Sequence, residues 1–447
     1  MQSSPGELTV QTCIAGSWHD AARVSFHEPE KGHLGSTTTT YLLDYFIEHA
    51  AVDNLVSPVI DERAVSVALP VGEDRWLPTW PAFLMDMLPQ GPARILLAKA
   101  IGWNGVLPAS ETHLLAYAAG TPVGNLRIAE AVGKAARAFR GRGISIDDVI
   151  ARSETFTTFA TALPWEAPAS VCLQGEWPKL QLTMAADGML YPDQHVPDAD
   201  AGQRYIVKLA RSRDPRDSLI LEIEALYAEA ASGLGLPIRS GYVAGPGVLM
   251  IPRFDRAAED GRLRRGQESL VSAAGVAAFG HLGTHEGYLS LLSGVSSDPA
   301  ADRLEYVKRD LLNLCLGNDD NHGRNMALCK HDGRVRLSEI FDLAPMRLSG
   351  SGVARSTKWA SMKDLGSDYH PRWDAVASTV ARDDAERDAL LVELAAFAER
   401  LPAAASSIIA RSSDTGAAAH AMSRLEGMVE SVVSAADRIV WDYALPG

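Results

Sequence analysis

The sequence has few cysteines and no surplus of positive charge, and both shortages exclude classes of protein. Its 447 residues include four cysteines, scattered without a C-x-x-C spacing, so we expect neither a disulfide framework nor a thiolate zinc site. Asp and Glu outnumber Lys and Arg by 56 to 42, which gives a formal net charge of −14. Because binding to nucleic-acid phosphates needs clustered Lys and Arg, we expect any DNA contact to be made mainly through a partner.

Long apolar runs are also lacking. No stretch reaches the ~18 apolar residues of a membrane helix. The first residues lack the basic segment followed by an apolar segment that is typical of secretory signals. We therefore expect a cytoplasmic protein without membrane contact. With 47% hydrophobic residues, 37 Gly and 24 Pro, the composition is that of an ordinary globular protein. Its length predicts two or three packed subdomains.

The order of predicted elements divides the chain into three regions. Residues 1–135, with short apolar runs such as the predicted strand 64–71, are expected to form an N-terminal α/β subdomain. Residues 136–265 alternate strands, hairpins and one helix, which is typical of the sheet-rich ATP-binding lobe of kinase-like phosphotransferases. Residues 266–447 have helical spacing of apolar residues and predict a helical catalytic lobe. The expected fold is a two-lobed, protein-kinase-like α/β (α+β) fold.

One short segment, "GNDDNHGRNMAL", concentrates polar residues between apolar flanks. Phosphoryl transfer from ATP needs a carboxylate near the acceptor hydroxyl and hard oxygen ligands for Mg²⁺. In the D-x-x-x-x-N pattern, Asp320 is predicted to orient or deprotonate the hydroxyl and Asn325 to hold the metal. Asp342 follows a predicted hairpin with the turn "HDGR" and is the second predicted metal ligand. His322 is predicted to stabilise the loop beside the phosphates.

Two other interpretations of this segment stay open. Residues 319–322 also fit a solvated turn, since Asn and Asp are common in loops. A two-metal hydrolase or nuclease site is the other alternative, with the ligands Asp319, Asp320, His322, His331 and Asp342. The kinase interpretation is favoured by the context: apolar "LLNLCLG" before the acids, then strand-like "NMAL", a hairpin and a further acid.

A lysine and a glutamate in the sheet-rich region fit the binding of ATP phosphates. Lys208 lies in the strand "YIVKL", where Val207 and Leu209 share one face and Lys208 points to the other. Glu224 follows sixteen residues later in a predicted helix and is available to pair with Lys208. Glu222 competes for this role but lies on another side of the helix.

Two further segments predict contacts with the nucleotide. In "LQGEWPKLQL", the backbone at Gly175 and the side chain of Lys179 are expected to hold phosphates, although a plain hairpin would need no such function. The segment "IPRFDR" ends a strand and is predicted to be the hinge whose backbone, at Arg253, Phe254 and Asp255, binds adenine.

Together these motifs resemble the HipA family of serine/threonine kinase toxins. The resemblance rests on "GNDDNHGRNMAL", "IFDLAPM", "IPRFDR", "YIVKL", "EALYAEAASGLGLP" and "GTPVGNLRI", and it covers the chain from about residue 75 onward. The wording "PAFLMDMLPQGPAR" and "DNHGRN" is most similar to the HipH (YjjJ-like) branch. The resemblance implies Asp320 as catalytic base, Asn325 and Asp342 as Mg²⁺ ligands, Lys208 on the phosphates and Phe254 at adenine. Glu224 matches the helix glutamate of the family.

The resemblance also implies an activity and partners. We expect an ATP- and Mg²⁺-dependent serine/threonine kinase that is the toxin of a toxin–antitoxin system, with a protein substrate such as an aminoacyl-tRNA synthetase and a small helix-turn-helix antitoxin. A small-molecule phosphotransferase and a non-catalytic regulator that binds ATP or DNA are the alternatives. The chain departs from the family at Cys172, where some members carry a phosphorylated serine, at Pro252 in place of a glutamate, and in a phosphate loop that usually reads A-G-A-Q-E-K.

Overall fold

The computed structural model describes residues 5–50, 62–72, 74–102, 110–135, 141–171, 173, 175, 177–256, 263–350, 352–362 and 368–444. Two compact units are present. The first unit comprises Met1–Arg213, Gly241–Phe279 and Ala327–Ser338, and the second comprises Asp214–Ser240, Gly280–Met326 and Glu339–Gly447. Both units are discontinuous in sequence. The predicted division into three continuous regions, 1–135, 136–265 and 266–447, stays a prediction.

All the described strands belong to the first unit. They are β1 (Glu7–Ile14), β2 (Ser17–Phe26), β3 (Thr37–Tyr41), β4 (Arg75–Leu77), β5 (Leu126–Ile128), β6 (Lys179–Met184), β7 (Leu190–Pro192), β8 (Arg204–Leu209), β9 (Val243–Gly245), β10 (Val248–Pro252), β11 (Gly266–Ser269), β12 (Ala327–His331) and β13 (Arg334–Leu337). They form three antiparallel sheets in the orders β4-β3-β2-β1-β5, β7-β6-β8-β10-β9 and β11-β12-β13.

The described helices are divided between the two units. The first unit contains α1 (Leu43–His49), α2 (Leu84–Met87), α3 (Gly91–Ala100), α4 (Ser110–Ala118), α5 (Ala129–Ala135), α6 (Ile146–Ile150), α7 (Glu154–Glu166) and α9 (Leu270–Ala273). The second contains α8 (Pro215–Gly233), α10 (His285–Val295), α11 (Pro299–Leu316), α12 (Trp373–Val380), α13 (Asp384–Ala398), α14 (Leu401–Arg411), α15 (Thr415–Ala421) and α16 (Leu425–Ala444). None of the described helices has the length and apolar character needed to cross a bilayer.

Local sequence signals explain several of these boundaries. Helix α8 begins after Asp214, whose side chain accepts a hydrogen bond from the N–H of Arg216, and Pro215 occupies the first helical position. Helix α2 ends before Pro89, whose ring disfavours helical conformation in the preceding residue, and Leu88 is extended. The β12–β13 hairpin turns at Asp332 and Gly333, whose φ values of 52° and 70° are those of the predicted tight turn.

The predicted strand at 64–71 is wrong. This segment is a buried turn with a single bridge between Ser66 and Leu69. Its polar groups bond to a distant partner, because the Ser66 hydroxyl and the N–H of Val67 both donate to the carboxylate of Glu268. Val65, Leu69 and Val71 are buried, but the hydrogen bonds of a partner strand are replaced by bonds to the Glu268 side chain of β11.

Candidate functional site

The loop with the predicted acids begins where α11 ends. Gly317 follows the helix with a φ of 67°, the left-handed conformation that favours glycine at a helix end. The Tyr227 hydroxyl in α8 donates to the carbonyl of Leu316 at 2.6 Å and fixes this end of the helix. A Cβ on Gly317 would lie 2.2 Å from the carbonyl oxygen of Ala421. Both the backbone conformation and the close approach therefore require glycine here.

Asn321 anchors the middle of the loop. Its side-chain amide donates to the carbonyl of Thr357 at 2.8 Å, and its oxygen accepts from the N–H groups of Ser356 at 3.0 Å and Thr357 at 3.3 Å. The residue is only 2% exposed. These three bonds hold the backbone on which the neighbouring Asp320 is carried. Sequence reasoning missed this role, because the partner segment lies 36 residues away.

Asp319 anchors the loop from another direction. Its carboxylate accepts a hydrogen bond from Arg424 at 2.8 Å and lies 3.8 Å from Nε of Arg347. The Arg424 guanidinium in turn covers the ring of Tyr369 at 4.0 Å. Since Asp319 is 5% exposed, the interpretation of 319–322 as a solvated turn is wrong for this residue as well as for Asn321.

Asp320 is, by contrast, accessible. Its side chain is 33% exposed, and His322 Nε2 lies 3.5 Å from its carboxylate. The amide nitrogen of Asn325 donates to the main-chain oxygen of Asp320 at 3.0 Å, and the Asn325 N–H donates to the carbonyl of His322 at 2.9 Å. This closed loop fixes Asn325 with its amide nitrogen used internally. Its amide oxygen is the atom that can act as a metal ligand.

Asp342 is joined to this loop through Asn318. The Asn318 amide donates to the side chain of Asn313 at 3.0 Å and to the main-chain oxygen of Asp342 at 3.4 Å. Asp342 has a φ of 54°, which is unusual for a residue with a side chain and costs on the order of 1 kcal/mol. Such conformations cluster at functional sites.

The loop and the Asp342 segment line one pocket in the second unit. The lining residues are Arg309, Leu312, Asn313, Asn318, Asp320, Asn321, His322, Asn325, Met326, Ile340, Phe341 and Leu343. The side-chain oxygen of Asn318 is buried there and has no hydrogen-bond partner among the described residues. The carboxylate of Asp320 and several asparagine amides are among the lining residues, and their oxygens are of the kind that a hard dication such as Mg²⁺ binds.

In the first unit, the two predicted phosphate lysines lie side by side. Lys179 in β6 is directly opposite Lys208 in β8, so both side chains leave the same face of the sheet. Lys208 is 4% exposed. Gly175, with a φ of 103°, lies beside Lys179: a Cβ there would be 3.1 Å from the lysine Nζ. The two ammonium groups thus leave neighbouring positions on one sheet face, a placement that fits the binding of phosphate groups.

An apolar patch adjoins the two lysines on the same sheet face. Ile206 is two residues before Lys208 in β8 and therefore shares its face, and Ile251 of β10 is directly opposite Ile206. Ile206 is half-buried, and Ile251 is 8% exposed. This face thus presents two ammonium groups beside branched aliphatic side chains, which is an arrangement that fits a phosphorylated compound with an apolar or aromatic part.

The side chains of Arg253 and Asp255 bond to each other in the interior, and the predicted backbone contact of 253–255 with adenine stays a prediction. Arg253 is fully buried and donates through Nε and Nη2 to the two Asp255 oxygens at 3.0 and 2.7 Å, and its N–H bonds to the carbonyl of Arg204. Burial would raise the pKa of the Asp255 carboxyl, but Arg253 and Arg256 outweigh it and hold that pKa well below its ordinary value. A contact through the main chain at Phe254 stays a prediction.

The two glutamates of α8 have different surroundings. Glu224 is 2% exposed, whereas Glu222 accepts hydrogen bonds from the N–H and hydroxyl of Ser413. The pairing of Glu224 with Lys208 stays a prediction. Cys172 lies outside the described residues, so nothing follows for the position where relatives carry a serine.

The sequence matches one protein family and is similar to a curated kinase-like protein. Residues 171–408 match the family described as the HipA-like C-terminal domain. "Putative kinase Y4mE" of Sinorhizobium fredii (strain NBRC 101917 / NGR234) is 26% identical over 275 residues, which are 58% of this chain and 63% of that protein. The chain thus spans less than two thirds of the length of this relative.

A solved structure is similar over nearly the whole chain. A chain of the Shewanella oneidensis MR-1 toxin–antitoxin complex of HipA, HipB and operator DNA matches with a TM-score of 0.65. The match covers 96% of this chain and 99% of that chain at 16% sequence identity. The predicted kinase-like fold of mixed helices and sheets is therefore confirmed.

Proposed function

Because this chain belongs to the HipA-like family, we propose that it is an ATP- and Mg²⁺-dependent kinase that transfers phosphate to serine or threonine of a protein substrate and acts as a toxin. The observation that carries the proposal is the pocket in which Asp320, His322 and Asn325 meet the segment around Asp342. Phosphoryl transfer needs little covalent chemistry from the protein. Positioning of the reactants and stabilisation of charge supply most of the rate enhancement.

Asp320 acts on the acceptor hydroxyl. Its carboxylate is the accessible acid of the loop, while the adjacent Asp319 is buried and paired with Arg424. Anchors at Asn321 and Asp319 on either side hold Asp320 at a fixed position, which lowers the cost of orienting the hydroxyl for in-line transfer. The His322 ring 3.5 Å away is placed to steady the carboxylate.

Asn325 and Asp342 would hold Mg²⁺. The amide nitrogen of Asn325 is fixed within the loop, which leaves the amide oxygen to serve as the ligand, and the Asp342 carboxylate supplies the negative charge. When bound, the dication neutralises charge that develops on the transferred phosphoryl group. Lys179 and Lys208 are the residues we assign to the ATP phosphates, with Gly175 beside Lys179, and Ile206 and Ile251 are assigned to the base.

A small helix-turn-helix protein is the partner that we propose. The similar Shewanella chain was solved in a complex with HipB and operator DNA. With a formal net charge of −14, this chain is a poor direct ligand for DNA, so its operator contact would come through the partner. An aminoacyl-tRNA synthetase is the substrate class that we propose to examine first.

The test is incubation of the purified chain with γ-labelled ATP, Mg²⁺ and extract from a host cell. A labelled protein band that appears only with active enzyme supports the proposal. A labelled small metabolite would instead indicate a small-molecule phosphotransferase. No transfer at all, together with measurable ATP binding, would indicate a non-catalytic regulator.

A further inference from the structure

A group of metal-binding side chains lies in the first unit and is not used by the proposed reaction. His19 belongs to β2, and Glu48 and His49 are the last two residues of α1. One ligand atom from each of the three residues lies within 4.8 Å of the others. Two separate elements thus bring two imidazoles and a carboxylate to one point.

The two imidazoles are held in a fixed arrangement. Their ring centroids are 5.6 Å apart with an interplanar angle of 83°. His49 is 8% exposed and also packs against the ring of Tyr45 at 4.4 Å, and the Tyr45 hydroxyl donates to the carbonyl of Arg63 at 2.7 Å. This packing restricts the His49 ring, and a restricted ligand side chain loses less entropy on binding.

The electrostatic surroundings favour a cation. Glu48 is 62% exposed, and its carboxylate lies 3.8 Å from Nε2 of His49. Both residues stand at the C-terminal end of α1, where the helix dipole presents partial negative charge. A cation placed here would meet this negative charge, a carboxylate and two imidazole nitrogens at once.

The donor types distinguish this group from the proposed Mg²⁺ site. Imidazole nitrogen with one carboxylate is a ligand set for zinc and neighbouring transition metals, whereas Mg²⁺ prefers oxygen donors alone. Three protein ligands would leave a fourth position open for water.

We propose that His19, Glu48 and His49 bind a transition-metal dication, with Zn²⁺ as the expected ion. Bound there, the ion would join the end of α1 to β2 and stabilise the N-terminal part of the first unit, because a ligand that binds only the folded state raises its stability. The proposal is independent of the kinase activity, and each can fail without the other.

The test is a Zn²⁺ titration of the full chain, freed of metal with a chelator and followed by calorimetry in a buffer without Mg²⁺. The wild type should bind one ion per chain at this site and unfold at a higher temperature with Zn²⁺. His19→Ala should weaken that binding by at least about tenfold, which is about 1.4 kcal/mol. Glu48→Gln should weaken it in the same direction.

Two matched variants serve as controls. Asp44→Asn removes an exposed carboxylate from the same helix, and His27→Ala removes an exposed histidine just after β2, so both should bind Zn²⁺ like the wild type. Co²⁺ in place of Zn²⁺ should give a visible absorption band that is lost in His19→Ala. Zn²⁺ affinity that is unchanged in His19→Ala and Glu48→Gln, or lost only in Asp342→Ala, would overturn the proposal, as would a wild type that binds no Zn²⁺.

Discussion

Replacing Gly317 by alanine tests whether the candidate catalytic loop depends on a close backbone approach. The residue has a φ of 67°, and a Cβ would lie 2.2 Å from the carbonyl oxygen of Ala421, so the backbone on one side must move by roughly 1 Å to reach normal contact. The left-handed conformation alone costs about 1–2 kcal/mol for a residue with a Cβ. Overpacking adds typically 1–3 kcal/mol. We expect Gly317→Ala to lower the free energy of unfolding by about 2–5 kcal/mol.

Gly333→Ala is the matched control. Gly333 has nearly the same φ, 70°, but its Cβ would have no neighbour within 4 Å. The control therefore measures the conformational cost without the clash, about 1–2 kcal/mol. Urea denaturation followed by fluorescence gives the midpoint for each variant, and phosphate transfer gives the effect on activity. Gly317→Ala should also reduce transfer, because the displaced loop carries Asp320, whereas Gly333→Ala should not.

Equal destabilisation by the two substitutions would refute this reasoning. It would mean that the contact between Gly317 and Ala421 yields without cost, and that the loop is not held at the position described. If Gly317→Ala is strongly destabilised but transfers phosphate normally, activity does not depend on the contact between Gly317 and Ala421. That result would also mean that the contact does not hold the loop in its active position.

Three further predictions concern the surroundings of the site. Arg424→Ala leaves the buried Asp319 carboxylate without its 2.8 Å partner and should cost about 1–3 kcal/mol, and Asp319→Asn made on that background should add little in a double-mutant cycle. Burial and, to a lesser extent, Arg355 lower the pKa of His285 from 6.5 to about 4, although Asp310 opposes them. Between pH 6.5 and about 4, His285 is therefore protonated in the unfolded chain but neutral in the folded chain. The free energy of unfolding should fall as the pH drops through this range, and it should fall less steeply in His285→Gln. Asp342→Ala should weaken ATP binding in Mg²⁺ far more than in EDTA, and equal loss in both would make Asp342 structural.

Local sequence signals predicted the elements that carry the site. Alternation around Lys208 predicted β8, and the glycine in the "HDGR" turn predicted the β12–β13 hairpin, since both depend on residues that are neighbours in sequence. The pattern at 64–71 also looked like a strand. It failed because Glu268, about two hundred residues away, supplies the hydrogen bonds that a partner strand would have supplied.

The residues that hold the loop could not be predicted from the sequence, because their partners are also distant along the chain. Asn321 is anchored by a segment 36 residues away, and Asp319 by Arg424 at a separation of 105 residues. An Asn or Asp in a polar loop has the same local appearance whether it faces solvent or a buried partner. Only the fold shows that Asp320 is the accessible acid between two anchored neighbours.

The measurement that tests the central claim most directly is phosphate transfer from labelled ATP by Asp320→Asn. The amide keeps the shape of the side chain and removes the base, so transfer should fall by about 10²–10⁴-fold while ATP binding and the unfolding midpoint stay close to those of the wild type. Asp332→Asn, which changes an exposed acid in the hairpin turn with an 81% exposed side chain, should transfer phosphate normally. Undiminished transfer by Asp320→Asn would contradict the assignment of this loop as the catalytic loop of a kinase.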